Sequence, residues 1–467
     1  MKVLLTRPIT YSSNSWYFPS GLGYIARYIS DAGHEIKVFD PEVEGGDLNK
    51  HCEFIKNEKY DVLGISALIN KYEYVKKLAE SSKQYHPHSK VILGGNITGP
   101  IWELLLNNTN IDVVVFGEGE ETVVEILKAF ENGLGLEGVK GIAFNLNGKP
   151  FHTELRSPII SLDEIPFPAY EYFPMEKYLT TPGKLSRQGL GKRDLSMITS
   201  RGCPYSCTFC YRPEWEKVRH RSVENVLREI RYLIDSYNLD ALTFNDELTL
   251  WSKKNAYKLC DVLETTGIYW GCVGRINIVD ENLLKRMYET GCRWITYGIE
   301  SGSETILREM KKNAKVEKAK QAVIWTKKAG IGTNPTFIIG YPSETRETAM
   351  ESVDFMKATG LHPDSLFFAT PYPGTKLYND AVKNGRITDS IEEYLHKIDG
   401  EDAHSLLVNL TQMSDEELLA LRDEVLRKVK PTSWDLFKKA VEILKQKGWK
   451  TLLKKITGKL KLVFSGT

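Results

Sequence analysis

Three cysteines within eight positions, Cys203, Cys207 and Cys210, are the residues of this chain best suited to chemistry. Thiolates bind soft metals, and a Cys-x3-Cys-x2-Cys run can wrap one face of an iron–sulfur cluster. Three ligands leave a fourth iron open, as catalysis at a cluster requires. The alternative is zinc, which usually takes four ligands; His220 would be the fourth, at an unusual spacing. The other cysteines, Cys52, Cys260, Cys272 and Cys292, are scattered. An odd total of seven, three of them bunched, makes a poor disulfide framework and points to a reducing cytoplasm. Cys260, Cys272 and Cys292 read as small core residues.

Such a loop needs a scaffold, and 467 residues are enough for two or three domains. Apolar content of 42% and charged content of 26% place the chain among ordinary globular proteins. The formal net charge of +1 supplies no field that would draw nucleic acid, and none is expected as a partner. The first residues show no signal peptide, and no stretch approaches the ~20 apolar residues of a membrane span.

Residues 1–135 alternate strand and helix patterns, with strands at Lys2–Leu5, Glu35–Asp40, Val62–Ser66, Lys90–Leu93 and Asp112–Phe116. Strands spaced by helices and bounded by glycine predict a doubly wound parallel sheet. Residues 136–195 read as an ordered linker. Two strand-like pieces there flank Asn147-Gly148, a Pro- and aromatic-rich run spans Ile165–Tyr170, and 178–195 is expected to form a loop over a site. Residues 196–375 hold six βα units, from strand Ser196–Thr199 to strand Ser365–Ala369, which predict an incomplete parallel barrel. Residues 376–467 form a helical C-terminal region. The cysteine run follows the first barrel strand, at the carboxyl end where parallel barrels carry their chemistry.

The stretch from Thr199 to Cys210, TSRGCPYSCTFC, resembles the signature of the radical SAM superfamily. That resemblance implies a [4Fe–4S] cluster on the three cysteines, with S-adenosylmethionine (SAM) chelated at the open iron and cleaved to a 5′-deoxyadenosyl radical. It carries over further positions. Asp246 and Glu247, in Asn245-Asp246-Glu247, stand where the family holds the SAM amino group. Glu300 and Ser301 fall where polar side chains meet the ribose, and Gly340 falls in the segment that packs on adenine. Phe209 and Tyr211 are expected beside adenine, and Arg275 on the SAM carboxylate or a substrate acid. A low-potential electron donor such as flavodoxin or ferredoxin is implied as a partner.

The first domain resembles the cobalamin-binding, Rossmann-like domain joined to many radical SAM enzymes. The residues that carry this are Ser66-Ala67-Leu68, Gly94-Gly95, Gly117-Glu118-Gly119-Glu120 and the segment Pro19–Ile25. In the family's first loop, Gly23 takes the closing glycine position, Phe18 the aspartate position and Ser20 the position of the cobalt-ligating histidine. With no histidine there, the resemblance implies cobalamin bound with its nucleotide tail displaced and no protein imidazole on the metal. Ser66 and Leu68 are expected near the tail, with Gly94 and Gly95 letting the backbone approach it.

Between Lys438 and Lys461 nine lysines face one acid, Glu442, with apolar residues at helical spacing. This basic amphipathic tail has two readings: a helix docked on the barrel, or a peripheral contact with an anionic membrane, which would favour a lipid-like substrate over another small molecule. The leading functional expectation is cobalamin-dependent methylation of an unactivated carbon. Ring formation or rearrangement with the same cofactors is the alternative, and a non-catalytic cobalamin sensor a distant one. Methylthiolation is disfavoured, because relatives that do it carry a second cysteine triad where this domain has only Cys52.

Overall fold

The computed structural model describes residues 1–10, 17–181, 183, 185–212, 218–363, 366–401 and 403–432. The basic segment Lys438–Lys461 lies outside the described residues.

The first sheet has seven strands: β1 (Lys2–Thr6), β2 (Glu35–Phe39), β3 (Val62–Ser66), β4 (Lys90–Gly94), β5 (Val113–Val115), β6 (Ile142–Leu146) and β7 (Lys149–His152). Their order is β2-β1-β3-β4-β5-β6-β7. The first five are parallel, as the alternating pattern predicts, and β6 and β7 add on antiparallel. The sheet thus runs on past residue 135 into the segment expected to be linker. Ile142, Ala143 and Phe144 are buried against the edge of β5, an edge that would otherwise leave its backbone groups unpaired.

The remaining linker is a wedge of aromatic rings. Phe18 packs at 4.8 Å on Tyr170, 4.9 Å on Phe173 and 5.6 Å on Tyr178. One continuous core runs from Val3 and Leu5 through these rings to the second sheet. The loop expected over a site at 178–195 falls partly outside the described residues, and its described part packs at the amino end of a strand. Asp194, at the start of the first barrel strand, accepts from the amides of Leu185 at 3.1 Å and Ser186 at 3.4 Å, tying the stretch to that strand's amino end.

The second domain is built on β8 (Asp194–Met197), β9 (Ser200–Arg201), β10 (Arg219–His220), β11 (Ala241–Phe244), β12 (Tyr269–Gly274), β13 (Cys292–Glu300), β14 (Thr336–Ile339) and β15 (Phe367–Phe368). Six of these form an open parallel barrel in the order β15-β14-β13-β12-β11-β8, and β9 pairs antiparallel with β10 at its mouth. Strand β8 ends before the expected Thr199, because the amides of Thr199 and Ser200 turn to Asp246 instead of a neighbouring strand. Strand β14 starts after Pro335, which has no N–H to give to a ladder.

Trp270, on β12, is fully buried and donates from Nε1 to the Thr290 carbonyl at 2.8 Å. Trp270→Ala should therefore cost about 3–5 kcal/mol in equilibrium denaturation. A cost below about 1 kcal/mol would show that this ring does not hold the barrel core together. Among the described residues no helix is long and apolar enough to cross a membrane.

Candidate cluster and cobalamin sites

The cysteine loop starts at Gly202, whose φ of 84° is open to glycine at little cost. It is held at both ends. At the front, Asp246 accepts from Thr199 N at 2.6 Å, Ser200 N at 2.8 Å and Thr199 Oγ1 at 2.9 Å. At the back, Thr208 donates its amide to the Met310 carbonyl at 3.0 Å, and its own carbonyl accepts from Leu377 N at 2.8 Å. The Thr208 hydroxyl also bonds the buried Tyr341 hydroxyl. The backbone carrying the thiols is thus anchored to β11, to the turn after helix Glu304–Glu309 and to the start of helix Lys376–Lys383.

Cys207 is buried, Cys203 half-buried and Cys210 exposed. The Cys210 thiol donates to Cys207. That bond draws Cys207 down to about 6, against the cost of burial and with help from Lys312 and Arg275. The same pairing pushes Cys210 up. Among the described residues no three His, Cys, Asp or Glu side chains converge as a metal site, so Cys203 stands apart from the pair. Protein contacts bring two of the thiols together and leave the third apart, and a cluster would gather all three. The donor set fits a cluster nonetheless: three cysteines free of disulfides on one anchored loop, with two cations beside the buried one.

Several residues expected at SAM are brought together around Cys207. The Arg275 guanidinium lies 3.1 Å from the centre of the Tyr205 ring and donates to the Lys312 carbonyl. Arg275 Nε is buried with no hydrogen-bond partner, an orphan donor that fits an anionic ligand. Lys312 Nζ pairs with Glu300 Oε1 at 2.8 Å and lies 5.7 Å from the centre of the Phe209 ring. Glu300 holds a left-handed φ of 69° and accepts from Thr336 Oγ1 at 3.0 Å, so its carboxylate is occupied by protein partners. Glu247 is exposed beside the loop and accepts from the Gly202 amide, while partial burial raises its pKa.

Other expectations land elsewhere. Asp246 is fully engaged in anchoring the loop, which leaves no free oxygen for an amino group. Ser301 turns its hydroxyl to Ser352 and the Ser303 amide, inside the barrel wall. Gly340, with φ of 87°, backs onto Leu418 of helix Asp415–Val429. Tyr211 reaches from the mouth to the first domain. A Cβ on Gly99 would sit 2.3 Å from its hydroxyl and one on Gly374 2.9 Å from its ring, so it bridges the two domains. Tyr205 and Thr208 lie inside the cysteine motif without an assigned role, and Lys312 carries no motif mark: it reads as a solvated turn lysine until the fold places it.

Asp246→Asn provides a check on this reassignment. One amide cannot accept from every donor the carboxylate serves, so loop anchoring should weaken by about 1–3 kcal/mol. Iron retention and melting temperature should fall together, with the KM for SAM little changed. A raised KM with normal iron content would restore the direct SAM role.

In the first domain a cavity of about 260 Å³ opens at the carboxyl ends of β1, β3 and β4. It lies where the sheet order changes direction between β1 and β3, the position at which doubly wound sheets bind ligands. Val3, Leu5, Val62 and Ile92 make its walls apolar, and Ser66, Gly94 and Gly95 line it as expected. At Gly64 a Cβ would meet Leu5 at 2.7 Å, so glycine keeps the slot open. A deep apolar slot of this kind fits the displaced nucleotide tail of cobalamin. Ser20, Gly23 and Leu68 are not among its lining residues. Gly23 instead allows close packing of Pro168 and the Phe18 ring, and Leu68 is exposed.

Comparison with known proteins agrees with both domains. Residues 197–356 match the model of the radical SAM superfamily, and residues 7–127 match the B12 binding domain. An uncharacterized methyltransferase of Pyrococcus horikoshii is 32% identical over 397 residues, covering 82% of this chain and 84% of its own. The cytidylyl-2-hydroxyethylphosphonate methyltransferase of Streptomyces wedmorensis is 28% identical over 453 residues, covering 86% and 84%. The fold matches TsrM of Kitasatospora setae, a radical SAM methyltransferase solved with cobalamin and a [4Fe–4S] cluster. The TM-score is 0.67 at 17% identity, covering 84% of this chain and 76% of that one. With its three cysteines on the barrel and its apolar slot at the switch point of the first sheet, this chain belongs to the radical SAM superfamily, among the enzymes that combine a [4Fe–4S] cluster and SAM with a cobalamin-binding domain.

Proposed function

We propose that the protein is a cobalamin-dependent radical SAM methyltransferase that methylates an unactivated carbon of a small-molecule or lipid-like substrate. The observation that carries this reading is the adjacency of the two sites. Arg201 lines the cobalamin cavity and stands two residues before Cys203. When bound, the cluster and SAM supply a carbon-centred radical that abstracts hydrogen, and cobalamin supplies a methyl group.

The chain's own part is to hold and shield. Cys203, Cys207 and Cys210 hold the cluster, and Lys312 and Arg275 lay positive charge beside it. Arg275 Nε offers a donor to a carboxylate. The apolar slot keeps water from the cobalamin tail, and the shared core between domains fixes the distance over which the sites cooperate. The Pyrococcus horikoshii methyltransferase at 32% identity supports methyl transfer, and the Rubrivivax gelatinosus magnesium-protoporphyrin cyclase at 28% keeps ring formation as the alternative. Seven free cysteines suit a reducing cytoplasm, and a flavodoxin- or ferredoxin-like protein is the electron donor proposed.

The test is anaerobic purification with cobalamin supplied, followed by incubation with methyl-labelled SAM, reductant and a metabolite and lipid extract of the source cells. Methyl transfer is supported if 5′-deoxyadenosine and S-adenosylhomocysteine form together and label enters a carbon-linked methyl group. 5′-Deoxyadenosine with a cyclised or rearranged, unlabelled product would replace methylation by ring chemistry.

A further inference from the structure

The Gly117-Glu118-Gly119-Glu120 segment does more than turn a strand into a helix. Glu118 and Glu120 sit at the rim of the cobalamin cavity, and both carboxylates reach across the domain boundary to the cysteine motif. Arg201 Nη1 donates to Glu118 Oε1 at 2.7 Å, and its Nη2 donates to Glu120. Arg219, paired with Arg201 across the β9–β10 ladder, donates to Glu118 Oε2 at 2.9 Å. The Arg201 guanidinium also covers the Tyr24 ring at 5.1 Å. The side chains of all four charged residues are largely buried, with exposures of 16% for Arg201, 10% for Arg219, 12% for Glu118 and 5% for Glu120. Two cations and two anions therefore make a neutral network with little screening, whose geometry is specific because Arg201 spans two carboxylates.

Arg201 meets a different partner on its other side. The next residue is Gly202, the left-handed start of the cysteine loop, whose amide is held by Glu247. Ile198, just before the segment held by Asp246, also lines the cavity. The barrel thus supplies part of the cobalamin site from the same short stretch that presents the cluster ligands.

We infer that Arg201 is a positioning residue that completes the cobalamin cavity and couples its occupancy to the order of the cysteine loop. The inference rests on the cobalamin reading of the cavity. Filling the cavity fixes Glu118 and Glu120, these fix Arg201, and Arg201 fixes the entry to Gly202 and Cys203. Thermodynamic coupling is reciprocal, so an assembled cluster must tighten cobalamin binding by the same factor.

Equilibrium titration with hydroxocobalamin, followed by its visible absorbance, provides the test. Full-length protein with its reconstituted cluster is compared with the cluster-free triple variant Cys203→Ala/Cys207→Ala/Cys210→Ala. Tighter binding by the cluster-loaded protein, by about 5-fold or more, is expected. Arg201→Gln combined with Glu120→Gln removes one ion pair whole and leaves Glu118 on Arg219, so no buried charge is stranded. In that background the cluster should no longer alter cobalamin affinity, and the reduced-cluster paramagnetic resonance signal should cease to respond to cobalamin. Arg201→Lys, which keeps charge but cannot span two carboxylates, should fold and lose most of the coupling.

Equal cobalamin affinity with and without the cluster overturns the inference while leaving the cobalamin reading intact. Full coupling in either Arg201 variant also overturns it. Failure of every form to bind cobalamin overturns the cavity reading, and the inference with it.

Discussion

Replacing Cys203, Cys207 or Cys210 singly with alanine should abolish SAM cleavage, and with it every downstream reaction of this enzyme. A cluster held by three thiolates has no spare ligand. Removing one leaves two, and the nearby carboxylates Glu300 and Asp246 are already committed to Lys312 and to the Thr199 and Ser200 amides. Iron content, the charge-transfer absorbance of the cluster and 5′-deoxyadenosine formation should fall to background together. The fold should survive, because Thr208 and Asp246, not the cysteines, anchor the loop. Far-ultraviolet circular dichroism and the melting transition are therefore expected close to those of the parent protein. An iron-loaded Cys207→Ala protein that cleaved SAM at the native rate would sink the cluster assignment.

The second large effect is expected from Gly94→Phe. Gly94 ends β4 and lines the cobalamin cavity. A Cβ there would meet only the Ile65 carbonyl, at 4.0 Å, so the backbone tolerates a side chain. The ring then has to enter a cavity of about 260 Å³ that the cobalamin tail needs. Cobalamin retention after gel filtration should be lost, with affinity down by roughly 100-fold or more, about 3 kcal/mol. Methyl transfer should vanish while reductive SAM cleavage continues, because the cluster loop is not touched by the substituted residue. Gly95 is less suitable for this test. It has φ of 95°, and its Cβ would lie 2.3 Å from the Ala67 carbonyl oxygen, so any substitution there strains the backbone as well as the cavity. Normal cobalamin binding by Gly94→Phe would place the cofactor outside this slot.

What was legible before the structure depended on locality. The cysteine spacing is a property of eight adjacent residues, and the βα alternation one of short windows. The parallel sheet, the six-stranded open barrel and the lining roles of Ser66, Gly94 and Gly95 follow from patterns of that range. The placements that differ from expectation belong to residues whose partners lie far away along the chain. Asp246 sits in a motif that suggests SAM, yet donors 46 and 47 positions earlier occupy both of its oxygens. Tyr211 follows the third cysteine but reaches the other domain at Gly99. Gly23 occupies a glycine position of the cobalamin loop, yet its smallness serves Pro168, 145 positions on.

The sequence by itself determined the chemistry available to this protein: three thiols on one loop after a parallel strand, and glycines at strand ends where a ligand can approach. Side-chain type and short spacing suffice for that, since donor softness and backbone freedom are local properties. Tertiary structure alone decided which charges act at the site. Lys312 beside Cys207 looks in sequence like any solvated Lys, and nothing in the sequence pairs Arg201 with two glutamates of the other domain. Only the fold removes water from them, and a charge acquires a strong and specific role once burial has raised its interaction energy above that of a screened surface pair.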